Sequence, residues 1–251
     1  MPSGSSEGLS ALQRHFFLSG PRPCPYLYGR VERSIFTELA GSGAGRLYEV
    51  LLRSGFRRSH QVAFRPACPE CTACVPVRVV VPEFEERDWM RRIRKANAAL
   101  AAEERPARGT REQFALFRRY IGERHADGEM ALMDYDDYRN MVEDSPVDSA
   151  VVEFRDQGGA LIAACLADKL SDGLSAVYSF FDPEEAWPSL GSYMILWLVG
   201  RARERGLAHV YLGYWVEGSR KMSYKTRFRP LEALSSEGWR RFEPRAARKA
   251  P

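Results

Sequence analysis

The sequence predicts an α+β protein with a mainly antiparallel sheet, and two regions carry most of this prediction. Strand-like runs fill residues 149–155, 161–170 and 174–181, and the Gly-containing links between them are typical of hairpins. A long segment over 190–205 follows, with the length and apolar content of a helix and with Gly206 as its stop. We therefore expect an antiparallel meander covered by one long helix.

The composition is that of an ordinary globular protein. Of 251 residues, 45% are hydrophobic and 28% are charged, and no stretch approaches the roughly 20 apolar residues that span a bilayer. The first ten residues, MPSGSSEGLS, lack the basic and apolar regions of a signal peptide. Five cysteines, an odd number, argue against a secreted disulfide framework. We expect a cytoplasmic protein that does not enter a membrane.

Residues 13–106 are expected to form an N-terminal cysteine-containing domain, preceded by a disordered Gly/Ser-rich stretch over residues 1–12. The elements predicted in this domain are strands at 14–19, within 26–39, at 59–65 and at 75–81, and helices at 46–54 and 87–104. The last helix should stop before Pro106, because the residue that precedes a proline avoids the helical region.

Residues 107–235 are expected to form a second domain, followed by a basic tail over 236–251. Thr110 precedes Gln113 by three residues, which is the spacing of a helix capping box. The other elements predicted around the meander and the long helix are a short helix at 134–144, a strand at 209–214, a helical stretch through 221–225 and a final strand near Leu231. This order matches the acetyltransferase-like (GNAT) fold, an α+β architecture with a splayed central sheet.

One loop departs from the members of that fold that use coenzyme A. Those members have a basic, glycine-rich loop whose amides hold pyrophosphate at the N-terminus of the long helix. Here residues 184–191 read Glu-Glu-Ala-Trp-Pro-Ser-Leu-Gly, and two acids beside a Trp-Pro pair make a poor pyrophosphate site. The fold suggests acyl transfer and the loop argues against coenzyme A, so a CoA-dependent N-acetyltransferase is kept as an alternative. An acyl donor carried on RNA fits both observations.

Three cysteines in the first domain, Cys68, Cys71 and Cys74, lie at C-x2-C-x2-C spacing. This spacing lets two thiolates reach one metal ion, and a zinc or iron–sulfur site usually takes four ligands, for which Cys24 is the candidate fourth. A reduced, functional but metal-free cysteine cluster is the second alternative. A disulfide framework is a third alternative, although it is rare in a reducing compartment.

Basic residues form three clusters, within 87–95, within 220–229 and within 240–249. Each cluster alone could be a solvated helix face, but three together favour binding of a polyanion such as a nucleic acid. A nucleic-acid-binding metal module without catalytic activity would account for the cysteines and the basic clusters. It would leave the GNAT-like order of elements unexplained.

Six stretches carry a family resemblance: 24–30, 64–78, 178–183, 189–193, 212–216 and 221–225. They resemble the bacterial aspartate/glutamate leucyl-tRNA–protein transferases, relatives of the eukaryotic arginyl-tRNA–protein transferases, over residues 13–234. Tyr28 departs from the family, which more usually has proline there. The resemblance implies transfer of leucine from leucyl-tRNA to a protein with N-terminal Asp or Glu, which marks that protein for N-degron degradation. An arginyl-tRNA–protein transferase is the alternative within the family.

The implied reaction is aminolysis of an ester, which needs a neutral amine and an oriented carbonyl but no cofactor. An α-amino group has a pKa near roughly 8, so a mild base suffices, and direct transfer without an acyl-enzyme is expected. Asp182 is the candidate base or amine-orienting group, while Tyr178 and Tyr193 are candidate donors to the ester. Arg30 and Arg78 are the candidate ligands of the acceptor carboxylate, because a planar guanidinium binds it in bidentate fashion. The candidate tRNA contacts are Arg91, Arg92, Arg94, Lys95, Lys221, Tyr224, Lys225 and Arg227.

Overall fold

The computed structural model describes residues 15–126, 128–184 and 187–243. Three segments with sequence-based predictions lie outside the described residues. They are residues 1–12, predicted to be disordered, residues 244–251 of the basic tail, and residues 185–186 of the 184–191 loop. None of the helices in the described ranges is long and apolar enough to cross a membrane.

The described part of the chain contains both helices and strands in the predicted α+β order. Its α-helices are α1 (Ala44–Arg53), α2 (Asp88–Ala96), α3 (Arg111–Arg124), α4 (Tyr135–Glu143) and α5 (Leu190–Glu204). Its strands are β1 (Phe17–Leu18), β2 (Arg22–Pro23), β3 (Val31–Glu32), β4 (Ser34–Glu38), β5 (Arg57–Ser59), β6 (Val62–Pro66), β7 (Cys74–Val80), β8 (Ala101–Pro106), β9 (Ser149–Arg155), β10 (Leu161–Lys169), β11 (Gly173–Phe181), β12 (His209–Val216), β13 (Leu231–Ser235) and β14 (Gly238–Arg241).

Eight strands form one large sheet in the order β14-β13-β7-β12-β11-β10-β9-β8. All neighbours in it are antiparallel except β11 and β12, and the predicted meander is confirmed as β9-β10-β11. Strands β7 and β8 come from residues before 107 and the others from residues after it. The sheet is therefore continuous across the predicted domain boundary, which itself stays a prediction.

The parallel pair β11–β12 separates soon after it begins. Residues Gly173–Ser175 pair with His209–Tyr211, after which the register ends although β11 continues to Phe181 and β12 to Val216. Beyond this point residues 176–179 of β11 are partly exposed although the strand lies in the middle of the sheet. We call this opening, between β11 after Ser175 and β12 after Tyr211, the splayed cleft.

The two sides of the sheet are covered by different elements. On one side, α2 and α5 pack on a core that contains Val152, Leu174 and Val210. On the other side, α3 and α4 cover β9 to β11 through residues such as Val151. The rest of that second side is covered by the N-terminal module, which we define as α1 and the four-stranded sheet β1-β4-β6-β5. Because side chains alternate along a strand, neighbouring residues such as Val151 and Val152 belong to opposite sides.

A buried ion pair joins the N-terminal module to the large sheet. Arg58 of β5 forms two hydrogen bonds with Asp168 of β10, at 2.8 and 2.5 Å, and Ser149 of β9 donates to the same carboxylate at 2.8 Å. The side chains of Arg58 and Asp168 are 1% and 0% exposed. The module is thus attached by a fully desolvated charge pair as well as by apolar packing.

The predicted helix over 87–104 is wrong in its second half. Helix α2 ends at Ala96, and residues 101–106 form the edge strand β8, which pairs with β9. The turn is fixed by the buried Asn97, whose Nδ2 donates to the carbonyl oxygens of Ile93 and Pro188. Pairing with β9 thus outweighs the helical propensity of this Ala- and Glu-containing segment. The predicted helical stretch through 221–225 is a short 3-10 helix over Ser223–Arg227.

Candidate active site

The side chain of Arg57 reaches from β5 of the N-terminal module into the splayed cleft. Its Nη2 donates to the carbonyl oxygens of Ala176 and Val177 of β11, at 3.2 and 3.0 Å. On the other wall lies Gly213 of β12, with φ +73° and with so little space that an added Cβ would lie 2.2 Å from Arg57 Nη1. The positive φ favours glycine there, and a Cβ could be accommodated only if the Arg57 guanidinium shifted. The guanidinium thus occupies the place where β12 would otherwise pair with β11.

Tyrosines from separate parts of the chain surround this guanidinium. Burial raises the pKa values of Tyr26, Tyr214 and Tyr224, and in each case the charge of Arg57 acts in the opposite direction. The hydroxyl of Tyr214 donates to the carbonyl oxygen of Gly55 at 2.9 Å, which ties β12 to the turn after α1. Arg57 therefore lies among tyrosine side chains in this part of the cleft.

Lys225 lies in the same region and is buried, with 4% of its surface exposed. Its Nζ donates to the carbonyl oxygen of Tyr214 at 2.6 Å. Burial, assisted by repulsion from Arg57, lowers the pKa of Lys225 to about 7. An amine that is partly neutral near pH 7 can accept a proton as well as donate one.

The four candidate metal ligands are brought into one region. Burial and, to a smaller extent, the nearby Cys24, Cys68 and Cys71 together raise the pKa of Cys74 to about 12. All four are free thiols. Four thiols are a suitable donor set for zinc or an iron–sulfur cluster. In the described ranges, however, no three Cys, His, Asp or Glu side chains converge closely enough to hold a metal ion, so the arrangement does not fit one as it stands. A metal on these cysteines stays a prediction.

The three predicted catalytic side chains do not all lie on the same side of the sheet. Asp182, at the end of β11, is ion-paired with Arg119 of α3 and accepts a hydrogen bond from the backbone of Glu184. Tyr178 lies on the α3 side of the sheet at the partly exposed stretch of β11, and burial raises its pKa. Tyr193 lies on the opposite side, buried in the core around α5.

The two predicted acceptor ligands differ in how far they are already engaged. Arg78 of β7 is ion-paired with Glu232 at 2.7 Å, donates to the hydroxyl of Tyr211 at 3.1 Å and stacks 4.3 Å from the ring centroid of Trp239. Arg30 is exposed on the loop after Cys24. Arg78 is therefore part of a packed network, and Arg30 is the more accessible of the two.

The predicted tRNA contacts fall on two neighbouring segments. Arg227 lies 4.0 Å from the ring centroid of Trp89 on α2, so the basic cluster of α2 and the 223–227 segment meet. Arg91, Arg92, Lys95 and Lys221 are exposed. Arg94 is held by an ion pair with Glu86 and by the carbonyl oxygen of Leu196. Lys225 is buried and does not face solvent with the others.

The sequence did not identify Arg57 as a site residue, and it assigned Lys225 a different role. Gly213 offered a signal for Arg57, because a glycine inside a strand often marks close approach of another group. The partner of that glycine lies more than 150 residues earlier in the chain, so local patterns could not name it.

Comparisons with known proteins agree with the family resemblance of the sequence. Residues 22–92 match the family model described as arginine-tRNA-protein transferase, N terminus, and residues 112–235 match the corresponding C-terminus model. The chain is 58% identical to an aspartate/glutamate leucyltransferase of Paramagnetospirillum magneticum, over 91% of the chain and 94% of the relative. The chain belongs to the arginine-tRNA-protein transferase family. The predicted resemblance and the predicted transferase class are thereby confirmed.

A second relative has the same name as the first, and the solved structures are only distantly similar to this chain. An aspartate/glutamate leucyltransferase of Rhodospirillum rubrum is 54% identical over 92% of the chain and 94% of the relative. Among solved structures, L-PGS from Bacillus licheniformis has a TM-score of 0.47 at 10% identity, covering 68% of this chain and 50% of that one.

Proposed function

We propose that this chain transfers leucine from leucyl-tRNA to the N-terminal Asp or Glu of acceptor proteins and thereby marks them for N-degron degradation. The observation that carries this proposal is the 58% identity to an aspartate/glutamate leucyltransferase across almost the full length of both chains. The partly exposed splayed cleft, bordered by a cation and tyrosines, supports it as the candidate substrate site. A cytoplasmic location follows from the need for leucyl-tRNA.

The proposed chemistry is direct aminolysis of the aminoacyl ester. The α-amine of the acceptor attacks the ester carbonyl, a C–N bond forms, and the bond from that carbonyl to the ribose oxygen of the tRNA breaks. The amine loses a proton and the ribose hydroxyl gains one, so the step balances without an oxidant or an energy source. Lys225 supports this chemistry, because a buried amine with a pKa of about 7 can take up the proton near neutral pH.

The positions of Tyr178, Tyr193 and Asp182 suit their predicted catalytic roles to different degrees. Tyr178 is the better of the two tyrosine candidates for a donor to the ester, because it lies beside the partly exposed stretch of β11 while Tyr193 lies in the opposite core. Asp182 is already held by Arg119, which suits an orienting group more than a base. The transfer as proposed needs no cofactor, and no step is assigned to a metal on the cysteines.

The basic surface of α2 and the 223–227 segment is proposed to hold the tRNA. Exposed arginine and lysine side chains bind phosphates without reading sequence, and the partly exposed Tyr224 can stack on an unpaired base. The contact between Arg227 and Trp89 makes these two segments one continuous surface.

A donor-by-acceptor assay tests the proposed function. Purified protein is incubated with labelled leucyl-tRNA, arginyl-tRNA or acetyl-CoA, each with peptides that begin with Asp, Glu or Ala. We expect label from leucyl-tRNA on the Asp and Glu peptides and none on the Ala peptide. The arginyl-tRNA arm is essential because the matching family models carry that name. Label from acetyl-CoA alone, or from none of the three donors, would overturn the proposal.

A further inference from the structure

Arg57 forms no ion pair with an acidic side chain in the described ranges, and neither does Arg65 of the adjacent strand β6, whereas three other arginines nearby are paired. Arg58 is paired with Asp168, Arg53 with Asp172 and Arg78 with Glu232. Arg57 instead uses Nη2 on two neutral carbonyl oxygens. A guanidinium has five N–H donors, so Nε and Nη1 keep donors for a further ligand.

The charge of Arg57 shifts the pKa values of the ionisable groups around it. It adds to the burial that lowers the pKa of Lys225, and it opposes the burial that raises the pKa values of Tyr214 and Tyr224. No carboxylate in the described ranges forms an ion pair with this half-buried guanidinium, and a second amine, that of Lys225, lies near it. Binding of an anion would relieve that imbalance.

The surroundings of Arg57 favour a carboxylate with an adjacent ammonium over a phosphate. A planar guanidinium matches a carboxylate in bidentate geometry. The carbonyl oxygens of Ala176 and Val177, on the β11 edge that β12 leaves unpaired, can accept hydrogen bonds from an ammonium group but repel a phosphate. An N-terminal Asp or Glu presents both charges within one residue, with the carboxylate only a few bonds from the α-amine.

We propose that Arg57, placed in the splayed cleft against Gly213 and the free edge of β11, binds the side-chain carboxylate of the acceptor's N-terminal Asp or Glu. This inference rests on the proposed function and adds a specificity residue to it. It moves acceptor recognition from Arg78, whose guanidinium is engaged by Glu232, Tyr211 and Trp239, to an arginine whose charge is unpaired.

The test measures kcat/KM with leucyl-tRNA for matched peptides that begin with Asp or Asn, which differ in charge but hardly in shape. We expect the wild type to prefer Asp by at least about 100-fold. Arg57→Gln should lower kcat/KM for Asp by about 100-fold and leave Asn within about threefold, so the preference is lost. Arg46→Gln, an equal change of charge on the exposed face of α1, should keep the wild-type preference.

Arg57→Lys keeps the charge without the planar fork and guards against failure of the Gln variant to fold. It should lower kcat/KM for Asp at least tenfold and leave Asn within threefold, and an unchanged value for Asp would overturn the inference. An equal loss of kcat/KM for the Asp and Asn peptides would give Arg57 a structural role. Weaker binding of leucyl-tRNA in a filter-binding assay would make Arg57 a tRNA contact. Either result would overturn the inference. Transfer by the wild type to Asp peptides establishes the proposed function first, so these outcomes refute the role of Arg57 alone. Wild-type protein that transfers nothing refutes both.

Discussion

Replacing the buried Lys225 by methionine should change how stability depends on pH. In the folded protein burial lowers the pKa of this amine from its ordinary 10.5 to about 7. One pKa unit corresponds to about 1.4 kcal/mol, so the protonated amine costs the folded state about 5 kcal/mol below pH 7. Between pH 7 and 10.5 the unfolded chain holds a proton that the folded protein has released. The free energy of unfolding therefore rises with pH in this window, by about 3 kcal/mol from pH 6 to pH 9.

The measurement is urea unfolding of the wild type and of Lys225→Met at pH 6, 7, 8 and 9. Methionine has a similar shape and no charge, so this rise should disappear from the variant. The variant also leaves the carbonyl oxygen of Tyr214 without its donor, at a cost of about 1–3 kcal/mol that does not depend on pH. Lys95→Met, the same change at an exposed position of α2, should follow the wild type. Equal pH dependence in the wild type and Lys225→Met would refute the lowered pKa.

Three further predictions concern the buried ion pair, the cysteine loop and the tRNA surface. Asp168→Asn leaves Arg58 buried without its counter-charge and should lower the free energy of unfolding by about 3–5 kcal/mol in urea titrations, whereas a loss below 1 kcal/mol would mean that water reaches the site. In chelator-treated protein at pH 8, Cys74 should react with iodoacetamide about 30-fold more slowly than an exposed thiol, because its pKa is raised to about 12. Peptide mass spectrometry measures the rate of this reaction. Arg227→Gln should weaken leucyl-tRNA binding and reduce the slope of the logarithm of the binding constant against the logarithm of the salt concentration by about 1. The control Arg46→Gln should leave this slope unchanged. An unchanged slope for Arg227→Gln would show that Arg227 does not contact the tRNA.

Features set by neighbouring residues were predictable from the sequence. The capping box of α3 occurs as expected, with the Thr110 hydroxyl accepting from the Gln113 amide and the Gln113 side chain accepting from the Thr110 amide. The hairpins of β9, β10 and β11 follow from short Gly-containing links. In such cases the sequence positions that determine the structure are only a few residues apart, so the pattern contains the whole cause.

Features set by distant partners were not predictable in this way. Residues 101–106 carry Ala and Glu, which suit a helix, but pairing with β9 makes them a strand. Glu104 then forms ion pairs with Arg201 and Arg205 at the C-terminal end of α5 and with Lys169 of β10. These cations compensate its charge at the sheet edge. Those partners lie far along the chain and become neighbours only through the sheet order.

Two adjacent arginines show how far local reasoning can go at the candidate site. Arg57 and Arg58 stand side by side in β5, and the sequence offers no reason to separate them. Because side chains alternate along a strand, they point to different surroundings. Arg58 meets Asp168 and is compensated, whereas Arg57 enters the splayed cleft and meets only neutral carbonyl oxygens. If a half-buried charge is kept without an ion-pair partner in the free protein, a ligand of opposite charge is the simplest physical reason for it. The difference between these two arginines, and not the basic composition of the segment, therefore marks Arg57 as the residue to test.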